Sequence, residues 1–298
     1  MAQDIRVAVV GLDTSHSVEF VRRMQAPDCA PALKVPGLRA TACLRFETPF
    51  QNAEGLDARQ RQLEAWGVKV TTSFAESVAD CDAIMIEIND PAFHLDYFRR
   101  CVSLGKPIFL DKPLADGLAA GCEVRKLADT AGVPVMSCSS LRFVNGLVAA
   151  CGQVPAPAQV AVFGALGRAP AGSSVVWYGV HAFEMLERAM GRGATRATVV
   201  NDACGITAVI EYDGGRHGVV ELVEGAYSYG GTLRGNGKAA AFVADMSLAY
   251  TEQLSEVERF FRTGQSPVTL DDAVEVLAML VATERALQSG RPEPVENR

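Results

Sequence analysis

The sequence predicts an α/β protein in two parts: a parallel-sheet α/β domain over residues 1–145, then an α+β domain with an open, mainly antiparallel sheet over residues 146–298. Three observations carry that expectation. Short apolar runs alternate with amphipathic segments through the first half, as βαβ units do. The Pro/Gly-rich stretch "GQVPAPAQ" then breaks the alternation, as connectors at domain boundaries do. Beyond it, strand-like runs follow one another across glycine turns such as "YDGGRHG", which suggests antiparallel pairing.

The first run, Ile5–Val10, is continuously apolar, as a strand buried on both faces must be. Ser17–Met24 follows as a helix with Val18, Val21 and Met24 on one side. Leu38–Leu44, Val68–Thr72 and Ala83–Ile88 read as the second, third and fourth strands, with "AESVADCD" a short helix between the last two. Ala92–Leu104 is a helix stopped by Gly105, where a left-handed cap is natural. A fifth strand in "PIFLDKP", the amphipathic helix Leu118–Gly132 and a strand in "VPVMS" complete the first part. In the second part, strands are expected at Gln159–Gly164, Arg196–Val200, Gly205–Tyr212 and Gly218–Glu224, with one helix at Val180–Met190. Helices at Ser247–Arg262 and Leu270–Gln288 close the chain, and the last is a candidate to pack back on the first domain.

Composition narrows the function classes. With 298 residues, 49% of them hydrophobic, the chain can bury a sizeable core without staples. A net charge of −7 argues against nucleic acid or an anionic membrane surface as partner. The eight cysteines form no CxxC pair and no Cys/His group with zinc spacing, so they read as reduced structural residues of a cytoplasmic protein. No run approaches the roughly 18 apolar residues that span a bilayer, and no targeting pattern opens the chain.

Chemistry concentrates where strands end. In an open parallel sheet, ligands bind beyond the carboxyl ends of the strands. There the sequence places Gly11 after the first strand, Asp90-Pro91-x-x-His94 after the fourth and Asp111-Lys112-Pro113 after the fifth. The Lys112 ammonium could polarise a carbonyl or alkoxide oxygen, or pass it a proton, and Pro113 keeps the backbone extended.

These residues resemble the glucose–fructose oxidoreductase and inositol dehydrogenase family, Gfo/Idh/MocA. Its fifth-strand signature is Glu-Lys-Pro, matched by Asp111-Lys112-Pro113; its Pro-x-x-His is matched by Pro91 and His94. "LRF" at Leu141–Phe143 matches the Arg-Phe that ends the family's first domain. Its Asp-x-Gly-x-His-x-x-Asp corresponds to "WYGVHAFE", where Gly179, His181 and Glu184 fit. The resemblance implies a Rossmann domain joined to a substrate domain, and oxidation or reduction of a sugar, polyol or related hydroxy or keto compound with NAD(P). It makes Lys112 and His181 the catalytic pair, His181 hydrogen-bonding the reacting hydroxyl or relaying its proton. It places Gly11, Asp13, Thr14, Ser15, His16, Arg45, Asp90, His94, Asp111 and Pro113 at the cofactor. Trp177, Arg142 and Glu184 fall to the substrate, Glu184 also as a candidate to orient His181. It further implies a homodimer or homotetramer formed through the second-domain sheet.

Three departures from the family bear on hydride transfer. Gly-x-Gly-x-x-Gly falls on Gly11, Asp13 and His16, so only the first glycine is present. A carboxylate at Asp13 would repel phosphates at a helix N-terminus, unless Asp13, Thr14 and Ser15 cap that helix themselves; the hydroxyls of Thr14, Ser15 and Ser17 could still donate to a phosphate. At the end of the second strand, where an acid would take the ribose hydroxyls of NAD, stand Leu44 and Arg45, which favours NADP. Trp177 replaces an acid and offers an apolar face for stacking.

Two further positions stand out. Glu87, in an otherwise apolar fourth strand, is expected to face the cofactor crevice. Asp13 and His16, with His94 across the strand ends, could form a polar or metal site, but the spacing is common by chance and no metal is assigned. His217, in a hairpin turn, is expected to be inert. The alternative function is a non-redox lyase, hydrolase or sugar-binding relative that has lost the usual cofactor site.

Overall fold

The computed structural model describes residues 3–296 and divides into two compact units that interleave in sequence. Among the described residues, the first comprises 3–115, 123–137 and 250–270, and the second comprises 116–122, 138–249 and 271–296.

The first unit is built on a six-stranded parallel sheet. Its chain runs β1 (Ile5–Val10), α1 (His16–Gln25), β2 (Leu38–Leu44), α2 (Ala53–Ala65), β3 (Lys69–Thr71), α3 (Phe74–Ser77), β4 (Ala83–Ile86), α4 (His94–Val102), β5 (Ile108–Leu110), α5 (Leu118–Ala131) and β6 (Val135–Met136). The strand order is β3-β2-β1-β4-β5-β6, the doubly wound order in which the direction of winding reverses between β1 and β4. Val7, Ala8, Val9 and Val10 are fully buried, as are Ala83, Ile84, Met85 and Ile86. Apolar residues at consecutive positions, with no polar alternation, are what burial of a strand on both faces selects.

The second unit carries α6 (Asn145–Gln153), β7 (Gln159–Leu166), α7 (Val180–Met190), β8 (Ala194–Asp202), β9 (Gly205–Tyr212), β10 (His217–Glu224), β11 (Gly230–Gly235) and β12 (Lys238–Val243). After α8 (Ala249–Thr263), which lies with the first unit from Tyr250 onward, α9 (Leu270–Ser289) and β13 (Glu293–Pro294) complete it. The seven strands form one sheet in the order β12-β11-β7-β10-β9-β8-β13. All neighbours are antiparallel except β7 and β10, which run parallel in register from Gln159↔His217 to Leu166↔Glu224. Helix α7 packs on β7 and β10.

Several expectations change in detail. The fourth strand stops at Ile86, so Glu87 stands just beyond it. The helix expected at Ala92–Leu104 is a 3₁₀ turn at Pro91–Phe93 followed by α4, and "AESVADCD" is helical only as far as Ser77. The first two residues of "GQVPAPAQ" close α6, which the sequence reading lacked. The segment that returns to the first unit is Tyr250–Leu270; the final helix, from Asp271 on, belongs to the second.

Candidate functional site

The turn after β1 is fixed by one glycine. Gly11 has φ +112°, and a Cβ there would lie 2.3 Å from the carbonyl oxygen of Glu87, so no other residue fits without moving backbone. The next positions are turned inward. Asp13 is buried; its Oδ1 accepts from the Asn89 N–H at 2.8 Å and its Oδ2 from the Thr48 hydroxyl at 2.7 Å. Burial pushes the Asp13 carboxyl up, and those hydrogen bonds pull it back. Asp13 therefore ties the loops after β2 and β4 to the turn and caps no helix.

Ser15 holds the N-cap position of α1 but makes no side-chain cap bond. The cap-like bond comes from Thr14, whose hydroxyl accepts from the His16 N–H at 3.2 Å, while the Ser17 hydroxyl donates to the Thr14 carbonyl at 2.8 Å. Ser17 is thus engaged within the protein, and Ser15 is exposed.

Two residues expected at the cofactor are struts. Asp90 accepts from the Ala92 N–H at 3.0 Å, capping the 3₁₀ turn. His94 is fully buried, with Nδ1 2.8 Å from the Pro113 carbonyl and Nε2 2.8 Å from the Ile88 carbonyl. It joins the loops after β4 and β5 and has no nitrogen left for a metal, so the grouping of Asp13, His16 and His94 is not formed. Arg45 is braced at the end of β2 by Asp57 at 2.6 Å and Gln60 at 2.6 Å, both on α2.

His16 instead meets Asp111. Its Nδ1 lies 2.7 Å from Asp111 Oδ2, and Asp111 Oδ1 accepts from the Lys112 N–H at 2.8 Å. Two departures from the family pattern, a histidine for a glycine and an aspartate for a glutamate, are therefore partners in space. Glu87 stands beside them, fully buried, and neither carboxylate oxygen has a hydrogen-bond partner. Burial pushes the Glu87 carboxyl well up, and Asp111 adds to the shift while Lys112 opposes it. Burial acts on Asp111 in the same direction, but His16 and Lys112 outweigh it and hold its carboxyl down to about 2. Two neighbouring carboxyls are thus pushed in opposite directions, Glu87 up and Asp111 down. Lys112 is only 5% exposed, and its charge acts on both Glu87 and Asp111, as a buried ammonium requires.

The second unit places His181 in the first turn of α7, directly after a π-helical turn at Val175–Gly179 that carries Trp177 and Tyr178. Such turns recur at functional sites. The Ser139 hydroxyl lies 2.7 Å from His181 Nδ1, while Tyr178 and Tyr229 approach the imidazole edge-on at 5.2 and 6.0 Å between centroids. Trp177 packs against Tyr178 at 5.1 Å, and Tyr227, 66% exposed, meets Tyr178 at 6.1 Å.

Glu184 does not orient His181. It pairs with Arg142 at 2.9 Å, and Glu187 meets the same Arg142 nitrogen at 2.5 Å, all three being buried. Burial pushes Glu184 up to about 7 against the pull of Arg142, because two carboxylates share one guanidinium. Arg142 and Glu184, expected at the substrate, form this internal ion pair, and Ser139 does the orienting.

The sequence reading also passed over Arg59. Its guanidinium donates to the Leu12 carbonyl at 3.0 Å and its charge acts on Asp13, which puts a cation at the turn after β1. An arginine at a periodic position of a polar helix carries no local mark of this role.

The turn fits a dinucleotide despite its missing glycines. Gly11 keeps the tight turn, the Asp13 carboxyl is hydrogen-bonded within the protein, and Arg59 adds positive charge beside it.

Residues 5–138 match the model of an oxidoreductase family with an NAD-binding Rossmann fold, GFO_IDH_MocA. No curated protein matches in sequence. Among solved structures, GenD2 from gentamicin A biosynthesis, in complex with NAD, superposes with a TM-score of 0.79 at 17% identity, covering 99% of this chain and 97% of that one. Myo-inositol 2-dehydrogenase from Lactobacillus plantarum gives 0.79 at 14% identity over 99% and 100%. A myo-inositol dehydrogenase from Corynebacterium glutamicum gives 0.78 at 16% identity, again over 99% and 100%. Similarity at these identities is similarity of fold.

Proposed function

The chain belongs to the Gfo/Idh/MocA oxidoreductase family, with an NAD-binding Rossmann fold, and we propose that it is an NAD(P)-dependent oxidoreductase of a sugar, polyol or related hydroxy or keto compound. The observation that carries this reading is Lys112, buried at the carboxyl end of β5 among acidic neighbours, in a sheet whose winding reverses between β1 and β4. That is where open α/β sheets bind their ligands.

In this reading the turn at Gly11 to Ser15 holds the pyrophosphate, with Arg59 countering its charge. Arg45 would take a 2′-phosphate, giving NADP preference over NAD, with its guanidinium then divided between Asp57 and the ligand. The bound nicotinamide would supply or accept the hydride. Lys112 donates a hydrogen bond to the oxygen of the reacting carbon, stabilising negative charge there both as a carbonyl is reduced and as an alcohol gives up its hydroxyl proton to His181. His181 holds that proton at Nε2, while Ser139 at Nδ1 fixes the ring's orientation. Trp177, Tyr178 and Tyr227 offer ring faces to the C–H side of a sugar. The second unit's sheet exposes Val200, Val223 and Val243, 59%, 38% and 73% exposed, and is proposed to join copies into a dimer or tetramer.

Turnover tests the roles directly. With a nicotinamide cofactor and a panel of polyols and keto sugars, Lys112→Met is expected to lower kcat/KM by roughly 10²–10⁴ while cofactor affinity stays within a few fold. Unchanged turnover in Lys112→Met would remove Lys112 from the chemistry.

A further inference from the structure

Beside Lys112 lies a cluster whose ligand-binding capacity the oxidoreductase reading leaves open. His16, Glu87 and Asp111 each present one ligand atom, and these atoms all lie within 4.8 Å of one another. His16 is 6% exposed, and the other two are fully buried. Glu87 sets the cluster apart from an ordinary buried ion pair. Buried carboxylates are as a rule hydrogen-bonded, paired or bound to metal, yet both oxygens of Glu87 lack a partner. The His16 ring is already set in place, its Nδ1 aimed at Asp111 and the ring packed at an angle against Phe20 at 5.6 Å and Tyr250 at 5.0 Å between centroids.

We propose that His16, Glu87 and Asp111 form a binding site for one divalent cation of the Mn²⁺, Co²⁺ and Zn²⁺ class. One imidazole nitrogen with two carboxylates is a donor set for these borderline ions; calcium takes six or more oxygens, and cuprous ions take sulfur. Two carboxylates also balance a dication. Ligand atoms around such an ion, at about 2.1 Å from it, stand roughly 3–3.5 Å apart. His16 Nδ1 and Asp111 Oδ2 would therefore part slightly from 2.7 Å, the cation taking the place of the proton they share, while Glu87 closes in. Water completes the coordination. Lys112 is the competing cation, since its charge acts on both carboxylates.

The placement gives the ion a use. Its ligands come from the start of α1, the residue after β4 and the residue after β5, so it would clamp together the strand ends that carry Gly11 and Lys112. The proposal also explains why the glycine pattern and the Glu-Lys-Pro signature are both altered at residues that touch.

The test is a titration of the full-length chain, stripped with EDTA, with Co²⁺ in the absence of nicotinamide, followed by visible d–d absorption and equilibrium dialysis. One equivalent of Co²⁺ per chain, with an absorption spectrum that saturates at that ratio, is expected. Glu87→Gln and His16→Gln are each expected to weaken binding tenfold or more, and Asp96→Asn, at an exposed position on α4, to leave it unchanged. Absence of stoichiometric binding to the wild-type chain overturns the proposal whatever the variants do. Equal binding by wild type and both folded variants overturns it as well, because the ion would then sit elsewhere. Nicotinamide takes no part in the titration, so its outcome is independent of the oxidoreductase reading.

Discussion

Glu184 shows how a residue can match a motif and serve another purpose. Its position after His181 reads as that of a catalytic acid, but its carboxylate shares Arg142 with Glu187 in a buried group. Its carboxyl rises from an ordinary 4.5 to about 7, so the folded state favours the proton. A raised carboxyl contributes stability that is complete below the unfolded value and is lost as pH rises through the folded one. Urea unfolding should therefore show wild type losing stability between pH 4.5 and 7 relative to Glu184→Gln, by at most about 2–3 kcal/mol. A difference between the two proteins that does not change with pH would refute the assignment. What made Lys112 legible is that its signature is local, three residues at a strand end. What hid the rest is distance along the chain. The His16–Asp111 pair spans 95 positions, and both the Glu184–Arg142 and the His181–Ser139 contacts span 42. No periodicity reports such meetings.

Elements were readable in proportion to how their burial shows in sequence. β1 is an unbroken apolar run and was expected at its observed limits, Ile5–Val10. Helix α2 was not expected, because "AEGLDARQRQLEA" buries only Leu56 and Leu63 and so carries almost no apolar stripe. Strands β11 and β12, "GGTLRG" and "KAAAFV", carry glycines and alanines in place of the β-branched residues that mark a strand; a Cβ on Gly231 would lie 2.4 Å from the Ala161 carbonyl of β7. Missing α2 meant missing Arg59. Arg59→Ala is expected to weaken dinucleotide binding about tenfold, with a shallower dependence of affinity on salt, as loss of one phosphate-facing charge implies. The turn that joins β1 to α1 allows a sharper prediction. Gly11→Ala must hold φ near +112° with its Cβ against the Glu87 carbonyl, so it should destabilise the fold by roughly 2–4 kcal/mol in chemical denaturation. A loss below about 0.5 kcal/mol would mean the turn relaxes freely.

At the scale of the whole molecule, the sequence conveyed two architectures in the right order, a parallel sheet followed by a mainly antiparallel one. The interleaving of the units was not legible, because an amphipathic segment shows in sequence that one face is buried but not against which sheet. Among the described residues no helix is long and apolar enough to cross a membrane. The exposed valines on the second sheet lead to an expectation for assembly. Light scattering after size exclusion should give a mass of two or four chains, and Val200→Lys together with Val243→Lys should lower it; a monomeric wild type would show that this face stays in water.

The central claim is that the turn after β1 still binds a nicotinamide dinucleotide although two of its three glycines are replaced. Titration of the purified chain with NADPH, NADH, NADP and NAD, by calorimetry and nicotinamide fluorescence, tests it most directly. The account predicts micromolar binding, tighter for the phosphorylated pair. No binding of any of the four at millimolar concentration would contradict it, and would show that Asp13 and His16 have closed the site.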